Sequence, residues 1–415
     1  MAGDVNVRLL GTGDEPWPAQ VEGLRELLGA PNNPLLFPPH YLKVTFPKMG
    51  GRAVLFEEGR ALLGVGFLFP RGYRGGAREF TLRYHRHETA RPVDPEAAVQ
   101  GVEGLLGRDR VIFYDPLLEQ QYAPTSREVM GVDVGSPSAR EAGAIRCLQQ
   151  EVWASEPDYL YPADVHSLGF GAGTSLVGRV QGELAGFLFG FYKFGGSPLP
   201  ELWEQRFGGG LRIESQLLGV LPRHRRSGLG YILKRVQAER AAREGLGVVN
   251  WTVDPLQFAN AILNFQRLKA VALDFYPHYH PFRNALNQVP ASRLGITWLV
   301  RSERVQRALA APAREPAIDL GADRSIRRLN EGWARLDLAA GDPVVAIEVP
   351  ADWTALQGAS LDEALLWRQA TDRLFQHYLG RREGKYVITG AATDGEQRFL
   401  IARRVEPELL ESLAA

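Results

Sequence analysis

The residues best suited to chemistry lie in GVLPRHRRSGLGYILKRVQAER, residues 219–240, where Val220, Pro222, Arg225, Gly228 and Gly230 spell V-x-P-x-x-R-x-x-G-x-G. Glycines at 228 and 230 let backbone approach a ligand with no Cβ in the way. The first N–H groups of a helix starting there converge with the positive end of its dipole, an arrangement suited to a phosphate or pyrophosphate. Arg225 and Arg226 add full charge. A tight turn with solvated arginines is the bland alternative, and an isolated G-x-G usually means no more than that. Two common nucleotide motifs are excluded: there is no G-x-x-x-x-G-K-[ST], and no third glycine completes a dinucleotide fingerprint.

The surrounding patterns supply the elements that must position this corner. TSLVGRVQGELAGFLFGFYKF (174–194) reads as two antiparallel strands around QGE, and LRIESQLLGVLP returns to strand character after a Gly- and Pro-rich insert at 195–210. Leu229, Ile232, Leu233 and Val236 recur at helical spacing. GVVNWTV (247–253) is a buried strand by composition, and FANAILNFQRLKA a second helix. Three strands, a glycine turn, a helix, a strand and a helix describe an α/β layered domain with a mixed sheet. After residue 300, RVQRALAAPAREPA reads as a connector, followed by strands at 343–350 and 398–404 with a helix between them.

The first part of the chain echoes the second. GFLF occurs at 66–69 and again at 186–189, and RVIFYDP (110–116) resembles VVNWTVDP (248–255), with Asp115-Pro116 matching Asp254-Pro255. These matches point to an internal duplication with its junction near GVDVGSPSAREAGA, 131–144. The first copy has no glycine from Leu82 to Gln100, where the corner should recur, so it is expected to bind no pyrophosphate.

With 415 residues the chain is long for one core, and its 48 basic and 48 acidic residues balance. Neutral charge gives no reason to expect nucleic acid or an anionic membrane as partner. The lone Cys147 excludes an internal disulfide and a multi-thiolate metal site. No apolar run is long enough to span a bilayer, and MAGDVNVRLLGTGDEPWP lacks a leader pattern, so a cytoplasmic protein is expected.

The stretch 220–230 resembles the acyl-CoA pyrophosphate loop of the GNAT acyltransferase superfamily, [RQ]-x-x-G-x-[GA] between the fourth strand and third helix. Together with WTVDPLQFANAILNFQRLKAVALDFYP, SRLGITW and AIEVPADW...ALLWRQATDRLF, it is similar to a bacterial GNAT subfamily described as predicted acetyltransferases, over roughly 139–404. The resemblance implies an α/β GNAT fold with a mixed, mostly antiparallel sheet flanked by helices, here as a tandem of two GNAT-like domains plus a C-terminal extension. The expected boundaries are a degenerate domain at 1–138, a catalytic domain at 139–300 and an α/β extension at 301–415.

By the same resemblance, acetyl-CoA or another acyl-CoA is the co-substrate, with no metal. Leu218, Gly219 and Val220 would pair with its pantetheine arm, and Arg225, Arg226, Ser227, Gly228, Leu229 and Gly230 would wrap its pyrophosphate. Asn260 and Phe265 complete the cofactor set; for Asn260 a helix N-terminal Asn bonding its own backbone is the alternative. Acyl transfer needs a base to take the amine proton and a donor for the oxyanion and leaving thiolate. Glu214, four residues before Leu218 and so expected on the same face, is the candidate base; a strand carboxylate at a solvated edge, or in an ion pair with Arg212, is the alternative. Phe265 stands where the superfamily carries a Tyr acid, so thiolate protonation falls to water or to another group, with Tyr276 as the candidate and Tyr279 and Asn264 beside it; packing or capping is the alternative for all three.

The implied reaction is direct transfer, in a ternary complex, of an acetyl or succinyl group to the amine of a small molecule such as an amino acid. A CoA-binding or scaffolding protein with weak catalysis is the alternative, and a homodimer is left open. His278-Tyr-His280 and His85-Arg-His87 lack the companions of a metal motif. The first pair reads as acceptor-site polarity and the second as surface. Trp203 and Arg206 in the insert read as lining the acceptor pocket.

Overall fold

A computed structural model describes residues 5–10, 16–88, 90–280, 287–310 and 316–415, without the side chain of His280. Part of the expected connector, 311–315, and part of the N-terminal stretch therefore lie outside the described residues, as does the His280 side chain. The chain is α/β, with mixed, mostly antiparallel sheets flanked by helices. It divides into two compact units, one of residues 1–196 and 210–237, the other of 197–209 and 238–415.

The first unit opens with β1 (Asn6–Leu10), α1 (Trp17–Leu27) and a π-helical turn at Tyr41–Thr45 running into α2 (Phe46–Lys48). β2 (Arg52–Glu58), β3 (Ala61–Arg74), β4 (Ala77–Arg86), α3 (Pro95–Leu106) and β5 (Arg110–Tyr114) follow. The five strands form a sheet in sequence order, antiparallel until β4 and β5, which run parallel because α3 crosses between them. The unit continues with β6 (Arg127–Val129), β7 (Val132–Gly135), α4 (Ala139–Trp153), β8 (Gly173–Val180), β9 (Glu183–Phe194) and β10 (Leu211–Val220). These strands lie in the order β10-β9-β8-β7-β6, all antiparallel. A two-residue turn at Gln181-Gly182 joins β8 to β9, where QGE predicts it. Then α6, Leu229–Arg243, begins.

An aromatic core fills this unit. Phe67 and Phe69 of β3, Phe187, Phe189 and Phe191 of β9, and Phe37, Tyr41, Phe46 and Phe170 belong to one buried cluster. Each such side chain contributes about 1.5–3 kcal/mol by leaving water. Inside it sits a fully buried ion pair, Arg83 to Asp164, with Nε to Oδ2 at 2.9 Å and Nη2 to Oδ1 at 2.7 Å. His85, expected at the surface, is buried beside Arg83. Burial, then the Arg83 charge, holds its imidazole well below its ordinary pKa, so it is neutral.

The second unit contains the insert helix α5 (Glu201–Trp203), the end of α6, β11 (Val248–Val253), α7 (Phe258–Ala261), β12 (Val271–His280), β13 (Ala291–Leu299) and α8 (Glu303–Ala310). The expected single helix after β11 changes at Ile262–Arg267 into a π-helical segment. Four two-residue strands at 318–336 precede the C-terminal elements: Val344–Val349, α9 (Trp353–Ala359), α10 (Leu361–Tyr378), the hairpin Tyr386–Asp394 with Gln397–Arg404, and α11 (Pro407–Ala414). The hairpin's first strand is absent from the sequence expectation; its Gly390, Ala391 and Ala392 lack the β-branched or aromatic signal. Trp203 is a core residue of this unit, fully buried with its indole N–H donating to the Leu410 carbonyl at 2.9 Å, and does not line a pocket.

One order of elements occurs twice along the chain. With the short helices α2 and α5 and the single helical turns set aside, β1-α1-β2-β3-β4-α3-β5 is matched by β7-α4-β8-β9-β10-α6-β11. GFLF falls in β3 and in β9, and each Asp-Pro follows its fifth strand. Both aspartates make the same turn: Asp115 Oδ1 accepts from Leu117 N at 2.8 Å and Asp254 Oδ1 from Leu256 N at 3.0 Å.

Candidate functional site

β10, which carries the candidate base and the expected pantetheine strand, is irregular. Its register against β9 runs Ile213 to Tyr192 and Glu214 to Phe191, then resumes at Leu217 to Phe189, so β10 has one residue more than its partner. Such a bulge interrupts the ladder and re-aims side chains. It also corrects the expected placement of Glu214: alternation is broken between 214 and 217, and Glu214 shares its face with Leu217, whereas Leu218 turns to the opposite face. Beyond the bulge Leu218, Gly219 and Val220 pair regularly with Leu188, Phe187 and Gly186.

From Val220 the chain passes through a single 3₁₀ turn, Pro222–His224, into Arg225-Arg226-Ser227-Gly228 and then α6. Arg226 and Gly228 have φ of 65° and 89°, both left-handed. A Cβ at Gly228 would be strained by φ although no protein atom lies within 4 Å of it. At Gly230, where φ is ordinary, a Cβ would meet only Leu218 and Val220 at 3.9 and 4.0 Å. Packing within the protein does not demand glycine at 230. Ser227 Oγ donates to the His224 carbonyl at 2.7 Å and accepts from Leu229 N at 3.4 Å, closing the turn. Arg225, Arg226 and Ser227 are exposed at the start of a fifteen-residue helix, with the leading N–H groups beside them.

The Glu214 carboxylate is held by Lys193 of β9, Nζ to Oε2 at 2.7 Å, with both side chains largely buried. On the same face the Tyr41 ring stacks 4.8 Å from Phe191, the cross-strand neighbour of Glu214, and lies 5.4 Å from the Tyr161 ring. Gln216, inside the bulge, donates to the Tyr161 hydroxyl at 2.9 Å. Burial, then Tyr161 and Glu214, holds the Tyr41 hydroxyl well above its ordinary pKa, so it stays protonated.

The opposite face of the bulge is pinned from α6. Lys234 Nζ donates to Ser215 Oγ at 2.8 Å, Ser215 Oγ donates to Gln237 Oε1 at 2.9 Å, and Gln237 reaches Thr174 at 3.3 Å. Burial brings the Lys234 ammonium down to about 7, against the opposing pull of Glu214. Lys193 and Lys234 escape the sequence expectation, although a lysine inside an apolar run, FGFYKF or YILKRV, is a readable signal. Tyr41 has none.

The remaining expected residues lie in the second unit. Asn260 is exposed on α7, and Phe265 is buried in the π-helical segment. Tyr276 is on β12, its hydroxyl 3.0 Å from Ser197 Oγ and its ring 5.8 Å from Tyr279. Among the described residues no cluster of three or more metal-ligating side chains occurs, and no helix is long and apolar enough to cross a membrane.

No protein-family model matches the sequence, and no curated protein matches it. Among solved structures the chain is similar to the ribosomal-protein-S18-alanine N-acetyltransferase of Escherichia coli, at 13% identity over 41% of this chain and 94% of that one, with a TM-score of 0.31. It is also similar to Arabidopsis thaliana Naa50 in complex with a bisubstrate CoA analogue, at 14% identity over 40% and 98%, TM-score 0.31. A third likeness is to a putative acetyltransferase from Salmonella typhimurium with acetyl-CoA, at 16% identity over 44% and 96%, TM-score 0.31. Likeness at this level bears on neither substrate nor activity.

Proposed function

We propose that the protein is an acyl-CoA-dependent N-acyltransferase of the GNAT type, using acetyl-CoA or succinyl-CoA to acylate the amine of a small molecule such as an amino acid. The observation that carries this reading is the corner at Arg225–Gly230. Two left-handed residues and two exposed arginines stand at the N-terminus of a long helix, with a glycine at 230 that internal packing does not require. A pyrophosphate accounts for all of these together.

The chemistry follows from general requirements. The neutral amine attacks the thioester carbonyl, a C–N bond forms, and the C–S bond breaks to release CoA thiolate. One proton must leave the nitrogen and one must reach the sulfur. Glu214 receives the first in this reading, with Lys193 donating to Oε2 and orienting the carboxylate. Tyr276 is the proposed acid in place of Phe265.

The paired elements β1–β5 and β7–β11 support a duplicated fold in which 1–138 is a degenerate copy, 139–300 the catalytic one and 301–415 an extension. A CoA-binding protein with weak catalysis is the second reading, favoured by the buried Phe265 and by the salt bridge that occupies Glu214. Release of thiol from acetyl-CoA, measured with a panel of amines for the wild type and Glu214→Gln, separates the two. The enzyme reading predicts amine-dependent release that falls at least about 100-fold in the variant. Tight CoA binding with no amine-dependent release favours the second.

A further inference from the structure

Tyr41 belongs to the first half of the chain, yet it stands on the strands of the second. Its ring stacks on Phe191, beside Tyr161, over the point where the bulge places Glu214. The side chain is only 1% exposed, and its hydroxyl, fully shielded from solvent, makes no hydrogen bond among the described residues. That is unusual, because a buried hydroxyl without a partner costs about 1–3 kcal/mol. Phenylalanine would fill the same space within the same aromatic cluster without that cost. The neighbouring hydroxyl is satisfied: Tyr161 accepts from Gln216. After burial and Tyr161, the Glu214 carboxylate also holds the Tyr41 hydroxyl protonated.

We infer that Tyr41 is a substrate-binding residue of the acceptor site on β10, its hydroxyl donating a hydrogen bond to the amine-bearing acceptor when that molecule reaches Glu214. The inference rests on the acyltransferase reading above. It gives the first half a direct part in the site: that half has no pyrophosphate corner of its own and supplies a polar contact for the acceptor instead. A protonated hydroxyl in an apolar wall selects an acceptor with a hydrogen-bond acceptor, such as a carboxylate or amide oxygen, near its amine. A structural role for the hydroxyl is opposed by its lack of a partner.

Tyr41→Phe removes this one atom, and three measurements on the full chain test the assignment. With the best acceptor among the twenty amino acids and putrescine, the KM for the amine should rise about tenfold, the loss expected for one buried hydrogen bond, with the KM for acetyl-CoA unchanged. The midpoint of thermal unfolding should stay level or rise, whereas a structural hydroxyl would lower it. A crystal structure with acetyl-CoA and that amine, or with acetyl-CoA alone if no amine reacts, should place Tyr41 Oη within 3.5 Å of a ligand atom or of Glu214. An unchanged amine KM, a lowered unfolding midpoint, or a Tyr41 hydroxyl still unpaired in the crystal overturns the assignment. Binding of CoA by both wild type and variant keeps a failure here distinct from a failure of the acyltransferase reading.

Discussion

The turn from β4 to α3 and the turn from β10 to α6 occupy the same place in the two runs of elements, and they treat the start of a helix in opposite ways. In the first, Asp94 caps the helix: its carboxylate accepts from Ala97 N at 2.9 Å, and Pro95 removes another N–H. A negative side chain already satisfies the helix end and would repel a phosphate. In the second, the helix start carries Ser227, Gly228 and two exposed arginines. At the first start a carboxylate takes a helix N–H, whereas at the second only the Ser227 hydroxyl does so, at 3.4 Å from Leu229 N, and the first turn holds no acidic residue. Under the proposed duplication, a copy loses its pyrophosphate site by capping the helix as well as by losing glycines.

The largest effect is expected from Gly230→Leu. Beyond its own helix, the nearest atoms to a Cβ there are Leu218 and Val220 side chains at 3.9 and 4.0 Å, so the fold should persist, while CoA affinity measured by calorimetry falls at least about 100-fold because a side chain at the helix start obstructs the pyrophosphate.

Next comes the wall between the two sets of strands in the first unit. Asp164→Asn leaves the fully buried Arg83 without its counter-ion and should cost about 3–5 kcal/mol in urea unfolding. Asp94→Ala should cost about 1 kcal/mol, the worth of an N-cap, and should leave CoA binding untouched.

The smallest effect is a pH dependence from Lys234. Its folded pKa near 7 lies below the unfolded value, so the unfolded state binds the extra proton between about pH 7 and 10, and this group's contribution to stability grows as pH rises through that window. Lys234→Met should therefore gain stability relative to wild type at pH 7 and lose most of that gain by pH 10. A gain that is equal at both pH values would mean that Lys234 is not desolvated as described.

The glycine turn and its flanking strand and helix were legible in sequence because each rests on local pattern: turn residues and helical spacing. The bulge in β10 was not, since one extra residue between Glu214 and Leu217 leaves no mark on the apolar pattern, and it reverses the face predicted by counting in twos. Lys193 reaches Glu214 from the adjacent strand, a pairing fixed by register between residues 21 apart. Tyr41 comes from a segment 173 positions before Glu214, and only tertiary packing brings its ring onto Phe191. The burial of His85 follows from Asp164 reaching Arg83 across 81 residues, which no local reading of His-Arg-His contains.

The central claim is that the two equivalent helix starts differ in anion binding, and calorimetric titration of CoA into the full chain tests it most directly. The account predicts one CoA per chain, lost in Gly230→Leu and retained in Asp94→Ala. No binding to the wild type, a stoichiometry of two, or binding that survives Gly230→Leu would contradict it.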